Sequence, residues 1–203
     1  MVNTEDTVKL LLFAAFLAIA AFPTVTCGQS PSLTSKAGTA KQQPLPPDLS
    51  SRVPPAKPDD VKSLDSILIA IYDVISGPTG DRDWNRFRSL FVPEARLTSA
   101  TRKDGGPVRL LDVEGYVRGA GSYFKTHAFY ESAIANRIQK FGNIAQVFSS
   151  YASRTAPGEK PFASGVNSIQ LFNDGSRWWV ISILWDEESP ANPLPPDLAT
   201  PAK

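Results

Sequence analysis

One cysteine and one histidine are all that 203 residues contain of those two side chains. A single thiol excludes an intramolecular disulfide, and a single imidazole excludes a His-rich metal site. Neither sign of charge is in excess, since 21 Lys and Arg oppose 20 Asp and Glu for a formal charge of +1. With no basic surplus to displace counterions, nucleic acid is not an expected partner. The chain has no Gly-x-Gly-x-x-Gly, phosphate loop, Cys-x-x-Cys, His-Glu-x-x-His or Gly-x-Ser-x-Gly. The usual sequence marks of dinucleotide binding, phosphate cradling, thiol exchange, zinc proteolysis and serine hydrolysis are therefore missing. No metal and no cofactor are implied. Long hydrophobic runs are lacking too: residues 10–22 are thirteen apolar residues, whereas a membrane-spanning helix needs about 20.

What that run does suit is the apolar core of an export signal, closed by Pro23. Its leading segment departs from the usual pattern, because Lys9 is the only basic side chain and Glu5 and Asp6 oppose it. Thr26 and Gly28 are small enough for the −3 and −1 positions of a cleavage site before Gln29. Residues 1–28 are therefore expected to be a signal peptide, and the product to be exported, periplasmic or secreted. A lipid-modified Cys27 is an alternative, although Thr24-Val25-Thr26 is a poor lipoprotein box, and an uncleaved anchor is a third. Cleavage after Gly28 would leave a mature chain without cysteine, which suits an oxidising compartment.

Proline marks out the globular part. Of 18 prolines, seven fall in residues 29–60 and five in residues 188–203, against five in residues 61–187. All four tryptophans lie in that last stretch. Residues 29–60 and 188–203 are expected to be a disordered Pro-rich linker and tail. The hexapeptide Pro-Leu-Pro-Pro-Asp-Leu occurs in both, at residues 44–49 and 193–198. It reads as polyproline II spacer, or as a pair of docking motifs for a groove that takes Pro-rich peptides.

Periodicity changes along residues 61–187. Val61, Leu64, Leu68, Ile71 and Ile75 recur at helical steps after Asp59 and Asp60 and before Gly77-Pro78, predicting one long helix. Residues 83–91 predict a short helix ended by Pro93, and residues 113–125 a third, weakened by Gly119 and Gly121. Residues 97–101 and 108–111 predict short strands around the turn Lys103-Asp104-Gly105-Gly106. Residues 129–141, 143–154, 162–172 and 177–187 predict long strands, the last two joined by Asn173-Asp174-Gly175-Ser176. In the final strand Trp179, Ile181, Ile183 and Trp185 share one face, while Trp178, Val180, Ser182 and Leu184 share the other. The expected class is α+β, with a curved antiparallel sheet wrapped around about three helices.

This order, with the segments Asp83-Trp84-Asn85-Arg86-Phe87-Arg88-Ser89-Leu90-Phe91 and Asp174-Gly175-Ser176-Arg177-Trp178-Trp179-Val180, resembles the nuclear transport factor 2-like, or SnoaL-like, superfamily. Phe141-Gly142-Asn143-Ile144-Ala145 and Gly165-Val166-Asn167-Ser168-Ile169-Gln170-Leu171 resemble an uncharacterised exported subgroup. The resemblance covers residues 61–187, the SnoaL-like domain. It implies a cone-shaped cavity between sheet and helices and a homodimer through the outer sheet face. It is nearly silent about chemistry, because such a fold carries enzymes and binding modules alike.

His127 is the first candidate for catalysis, as a general base whose pKa sits near working pH. A helix-end histidine capping carbonyls is the plainer reading. Glu131 is the candidate carboxylate. Arg137 lies six residues on in the same strand, hence on one face with it, and Arg154 approaches Glu131 from the neighbouring strand if the Gly142 turn sets that register. The set reads as a ligand-orienting pair or as a cross-strand salt bridge. Asp73 beside Tyr72 is an aspartate considered for an inward position. Asn167 shares a face with Ile169 and Leu171, so an inward Asn167 needs hydrogen-bond partners. Tyr72, Trp84, Tyr116, Tyr123, Tyr151 and Trp185 are candidates to line an aromatic cavity, against a plain core role.

Three functions remain open. The first is an exported module binding a small, largely apolar molecule. The second is an isomerase, cyclase or dehydratase using His127 with a carboxylate, and the third is a dimeric protein-interaction module. Whether any reaction is catalysed is left undecided by the sequence.

Overall fold

The computed structural model describes residues 48–101 and 108–200. The signal segment, most of the linker and the turn Lys103-Asp104-Gly105-Gly106 lie outside the described residues. Each main helix begins at a side chain that accepts a backbone N–H from its own first turn. Ser63 Oγ takes Ser66 N at 3.1 Å for α2 (Leu64–Ile75). Asp83 takes Arg86 N at 2.9 Å for α3 (Trp84–Ser89), and Asp112 takes Gly115 N at 2.6 Å for α4 (Val113–Phe124). Such caps satisfy donors that a helix start cannot pair internally. The long first helix predicted from the sequence is thus two. α1 (Pro58–Val61) stops before the Ser63 cap, and Val61 keeps the apolar step across the break, which is why periodicity alone hides it.

Six strands follow: β1 (Phe91–Ser99), β2 (Arg109–Leu111), β3 (Tyr130–Phe141), β4 (Ile144–Arg154), β5 (Ala163–Asn173) and β6 (Trp178–Glu187). Their order in the sheet is β2-β1-β6-β5-β4-β3. β3 to β6 form an antiparallel meander, but β1 pairs with β6 in parallel. The sheet is therefore mixed rather than wholly antiparallel as expected. β1 also starts earlier than predicted, at Phe91, and contains Pro93 where its register against β6 shifts between Phe91 and Arg96. An irregular stretch tolerates the missing N–H of proline.

Two further irregularities matter more. The β3–β4 register shifts between Ala133 and Ala135, and the β5–β6 register shifts between Gln170 and Leu171. Each extra residue bends the strand and inverts the inside–outside alternation beyond it. Val180 and Ile183 consequently both face the helices, and Ile181 lies outside with 40% exposure. The strict alternation predicted for the last strand does not hold.

α2 buries Ile67, Leu68, Ile71, Val74 and Ile75 against the inner sheet face. α3 and α4 close the same side, with Phe87 stacked on Tyr116 at 5.1 Å and Trp84 on Phe124 at 6.1 Å between ring centroids. Arg86 ties α1, α2 and α3 together through Asp60 at 2.7 Å and Asp73 at 2.5 Å.

The described parts of the two Pro-rich segments are not the disordered spacers expected of them. Asp48 caps a 3-10 turn, Leu49–Arg52, and Leu49 packs on the core. At the other end Leu198 is 2% exposed, its carbonyl accepts Ser150 Oγ at 2.6 Å, and Asp197 pairs with Arg137. Ser150 and Arg137 lie on the outer sheet face, so the tail rests there. Composition predicts disorder only where apolar side chains find nothing to cover, and Leu198 finds a seat.

Candidate functional site

Inward side chains change character along the meander. On β4 they run from Ala145 and Val147 through Ser149 to Tyr151 and Ser153. On β5, in register, they run from Leu171 and Ile169 through Asn167 to Gly165 and Ala163. At the first end the sheet meets a filled core. At the second it meets a cavity of about 210 Å³.

The crossing point is a buried polar cluster. Tyr72 of α2 shares a 2.6 Å hydrogen bond with Ser149 Oγ and accepts one from Asn167 Nδ2 at 3.1 Å. Burial pushes the Tyr72 hydroxyl up to about 12, so it stays neutral. Asn167 is thus inward as the sequence suggested, with a tyrosine hydroxyl as its partner.

Beyond it six aromatic rings wall the cavity, those of Phe87, Tyr116, Phe129, Tyr151, Phe162 and Trp185. Tyr116 and Trp185 stand edge to face at 89°, with centroids 6.3 Å apart, and Phe129 and Phe162 meet at 61° and 6.2 Å. Ile71, Ile75 and Ile183 supply aliphatic surface. Tyr151 lies across Gly165, where a Cβ would fall 2.1 Å from the Asp186 carbonyl oxygen and 2.7 Å from the Tyr151 hydroxyl. Glycine is therefore required for that ring to lie flat on β5.

Glu131 is the acid of this site. The first residues of β3 are held beneath the end of α2. Gly77 and Phe129 exchange backbone hydrogen bonds at 2.7 and 3.0 Å, and Glu131 N donates to Ser76 Oγ at 2.9 Å. The Glu131 carboxylate accepts Ser153 Oγ at 2.7 Å. Burial among apolar and aromatic groups pushes its pKa up to about 7, and the Ser153 hydrogen bond offsets only part of that. The same burial, with Glu131 nearby, raises the Tyr116 and Tyr151 hydroxyls above the usual phenol value. Glu187 also lines the cavity. Among the described lining residues there is no Lys, Arg or His.

Neither arginine proposed for Glu131 reaches it. Arg154 pairs across the ladder with Tyr130, one position from Glu131, and so points to the other face, where it donates to Ser132 Oγ and the Glu159 carbonyl. Arg137 is turned outward by the irregularity between Ala133 and Ala135 and meets Asp197. Asp73 is on the surface with Arg86. His127 follows α4 and is exposed: its ring stacks on Tyr123 at 4.2 Å, and Nδ1 contacts the Tyr123 carbonyl at 3.1 Å and Thr126 Oγ1 at 2.8 Å. Glu131 and His127 are not brought together.

Of the predicted ligand-contacting residues, Tyr116, Tyr151, Asn167 and Trp185 line the cavity, and Tyr72 stands one hydrogen bond behind it. Trp84 packs between Phe87 and Phe124, and Tyr123 is 43% exposed beside His127. Ser153, Glu187, Phe129 and Phe162 line the cavity as well, beyond the residues expected from the sequence. The alternation of β4 places Ser153 beside Tyr151, the one signal that pointed to any of them.

A wider groove of about 970 Å³ runs outside, between α2 and β3. It has exposed Ile69 and Glu159 and half-buried Arg154 on its walls, so the smaller, aromatic-lined cavity is the better candidate. No group of three or more His, Cys, Asp or Glu among the described residues is placed to hold a metal ion. No described helix is long and apolar enough to cross a membrane.

The sequence matches no known family model and no curated protein. Similar solved structures include a cystatin-like protein of unknown function from Nostoc punctiforme, 15% identical over 66% of this chain and 97% of that one, with a TM-score of 0.49. A nuclear transport factor 2-like protein of unknown function from Silicibacter pomeroyi is 9% identical, covering 63% and 94%, with a TM-score of 0.47. A candidate dehydratase of the same family from Streptomyces avermitilis is 15% identical, covering 66% and 99%, with a TM-score of 0.48. The element order and a sheet covered on one face by helices agree with the α+β architecture that the sequence resemblance implies.

Proposed function

We propose that the protein is an exported binding module that takes a small, largely apolar molecule into the cavity between β4, β5, β6 and the helices. The supporting observation is that the inner sheet face stops being filled at Asn167, although aromatic side chains continue beyond it. A core selected only for stability fills such space, because cavity surface costs stability. A 210 Å³ space is small for a ligand pocket; an apolar cavity of about 150 Å³ holds benzene. One ring with a short arm is the size that fits.

Thermal unfolding with a panel of single-ring compounds tests this, using wild type and Ala163→Phe, which fills the cavity from β5. The expected result is a raised Tm for wild type with at least one compound and no change for the filled variant. No response from wild type, or an equal response from both, contradicts it.

The outer sheet face supports a second reading, a homodimer or interaction module. Ile144, Phe148, Ile181 and Leu184 are each at least 40% exposed there. Light scattering of wild type and Phe148→Asp tests it: a dimer that becomes a monomer supports the reading, and a monomeric wild type contradicts it.

A further inference from the structure

We propose that the cavity and the wider groove between α2 and β3 are two halves of one binding site, and that the Glu131 side chain is the partition that limits the ligand to about one ring. This rests on the binding reading above and adds the residue that sets ligand length. The groove has about 970 Å³ against about 210 Å³ for the cavity, and among the described residues Glu131 is the one that lines both. α2 contributes to each space from a different face: Ile71 and Ile75 line the cavity, whereas Leu68, Ile69 and Tyr72 line the groove. β3 is the edge strand of the sheet. Past Glu131 there is no further strand to close the cavity, and the groove begins there.

Hydrogen bonds hold this residue at both ends. Its backbone N–H donates to Ser76 Oγ at 2.9 Å, which ties β3 to the end of α2. Its carboxyl group accepts Ser153 Oγ at 2.7 Å, which ties the side chain to β4. Burial favours the neutral carboxyl, and a neutral group costs far less in an apolar wall than a charge does. The partition is thus stable where it stands, but it is a single side chain. Shortening that side chain should join the two spaces, and Leu68 and Ile69 then give the groove an apolar wall for a chain attached to the bound ring.

Calorimetric titration of the full chain with 2-phenylethanol and 6-phenylhexan-1-ol tests this. The two alcohols share a ring and a hydroxyl and differ by methylenes, each worth about fourfold in affinity when buried. In wild type the longer alcohol is expected to bind no more tightly than the shorter, because the cavity ends at Glu131. In Glu131→Ala the order reverses, and the longer alcohol binds about tenfold or more tightly than the shorter. Glu131→Gln, with a side chain of the same length, restores the wild-type order. Glu131→Asp keeps a carboxyl but withdraws it by one methylene; it shows a smaller shift in the same direction and decides the matter if the alanine variant does not fold. A wild type that already gains from the longer chain, or a folded shortened variant that gains nothing, overturns the partition while the binding cavity stands. If neither alcohol nor any of the single-ring panel binds wild type, the cavity reading fails and the partition with it.

Discussion

The two ends of one inner sheet face are built from the same strands and do opposite things. Towards the β3–β4 turn, Val147, Ile169 and Leu171 have at most 1% exposure and belong to the same buried core as the apolar residues of α2. Towards the other end, Tyr151, Ser153 and Trp185 face a 210 Å³ cavity with a carboxylate in its wall. Between them Tyr72, Ser149 and Asn167 satisfy one another. Stability and function are thus separated along the strands rather than between layers. The filled end holds the sheet to the helices, so the hollow end can stay open.

Truncation should separate the two ends most sharply. Ile169→Ala at the filled end is expected to cost about 2–5 kcal/mol. Ile183→Ala at the cavity wall should cost clearly less, because one side of Ile183 already faces empty space. Urea unfolding measures both, and equal costs would mean that the cavity is not hollow in solution.

Next in size is the pH dependence of Glu131. Its folded-state pKa of about 7 lies above the ordinary 4.5, so the folded protein favours the neutral carboxyl. The associated stability is fully present below about pH 4.5 and is lost as pH rises through 7. Glu131→Gln, which stays neutral, should match wild type at pH 4 and exceed it by up to about 3 kcal/mol at pH 8. An unchanged difference between the two pH values would show that Glu131 is not in an apolar environment.

At the boundary, Tyr72→Phe removes the hydroxyl that serves both Ser149 and Asn167, with an expected cost of about 1–3 kcal/mol. The Ser149→Ala/Tyr72→Phe double variant should recover part of it, which a double-mutant cycle reads. Smallest is Asp197→Ala on the outer face. It breaks an exposed ion pair with Arg137 and should cost less than about 1 kcal/mol. Hydrogen exchange at Ala135, whose N–H donates to Ser150 Oγ beneath the tail, should nevertheless quicken if the tail is loosened.

Element type was legible in the sequence wherever period and turn chemistry agreed. The two long hairpins and α4 begin and end within about two residues of expectation. Parity was less legible. A single inserted residue, Ile134 in β3 or Ile181 in β6, has no compositional mark, yet it decides that Arg137 leaves Glu131 and that Ile181 leaves the core. Register did the rest, since Ser153 rather than Arg154 lies across from Glu131. Uniqueness drew attention to His127, but rarity carries no information about position, and the end of α4 leaves it in solvent. Composition gives the tail no mark of order, because nothing in it shows that Leu198 has a place to go.

The hollow end can be told from the filled end in a single spectrum of protein labelled at isoleucine methyl groups and titrated with the panel of single-ring compounds. The predicted result is movement of the Ile71, Ile75 and Ile183 resonances, which line the cavity, while Ile67 and Ile169, fully buried at the filled end, stay in place. Movement confined to Ile144 and Ile181 on the outer face, or no movement at any methyl, would contradict it.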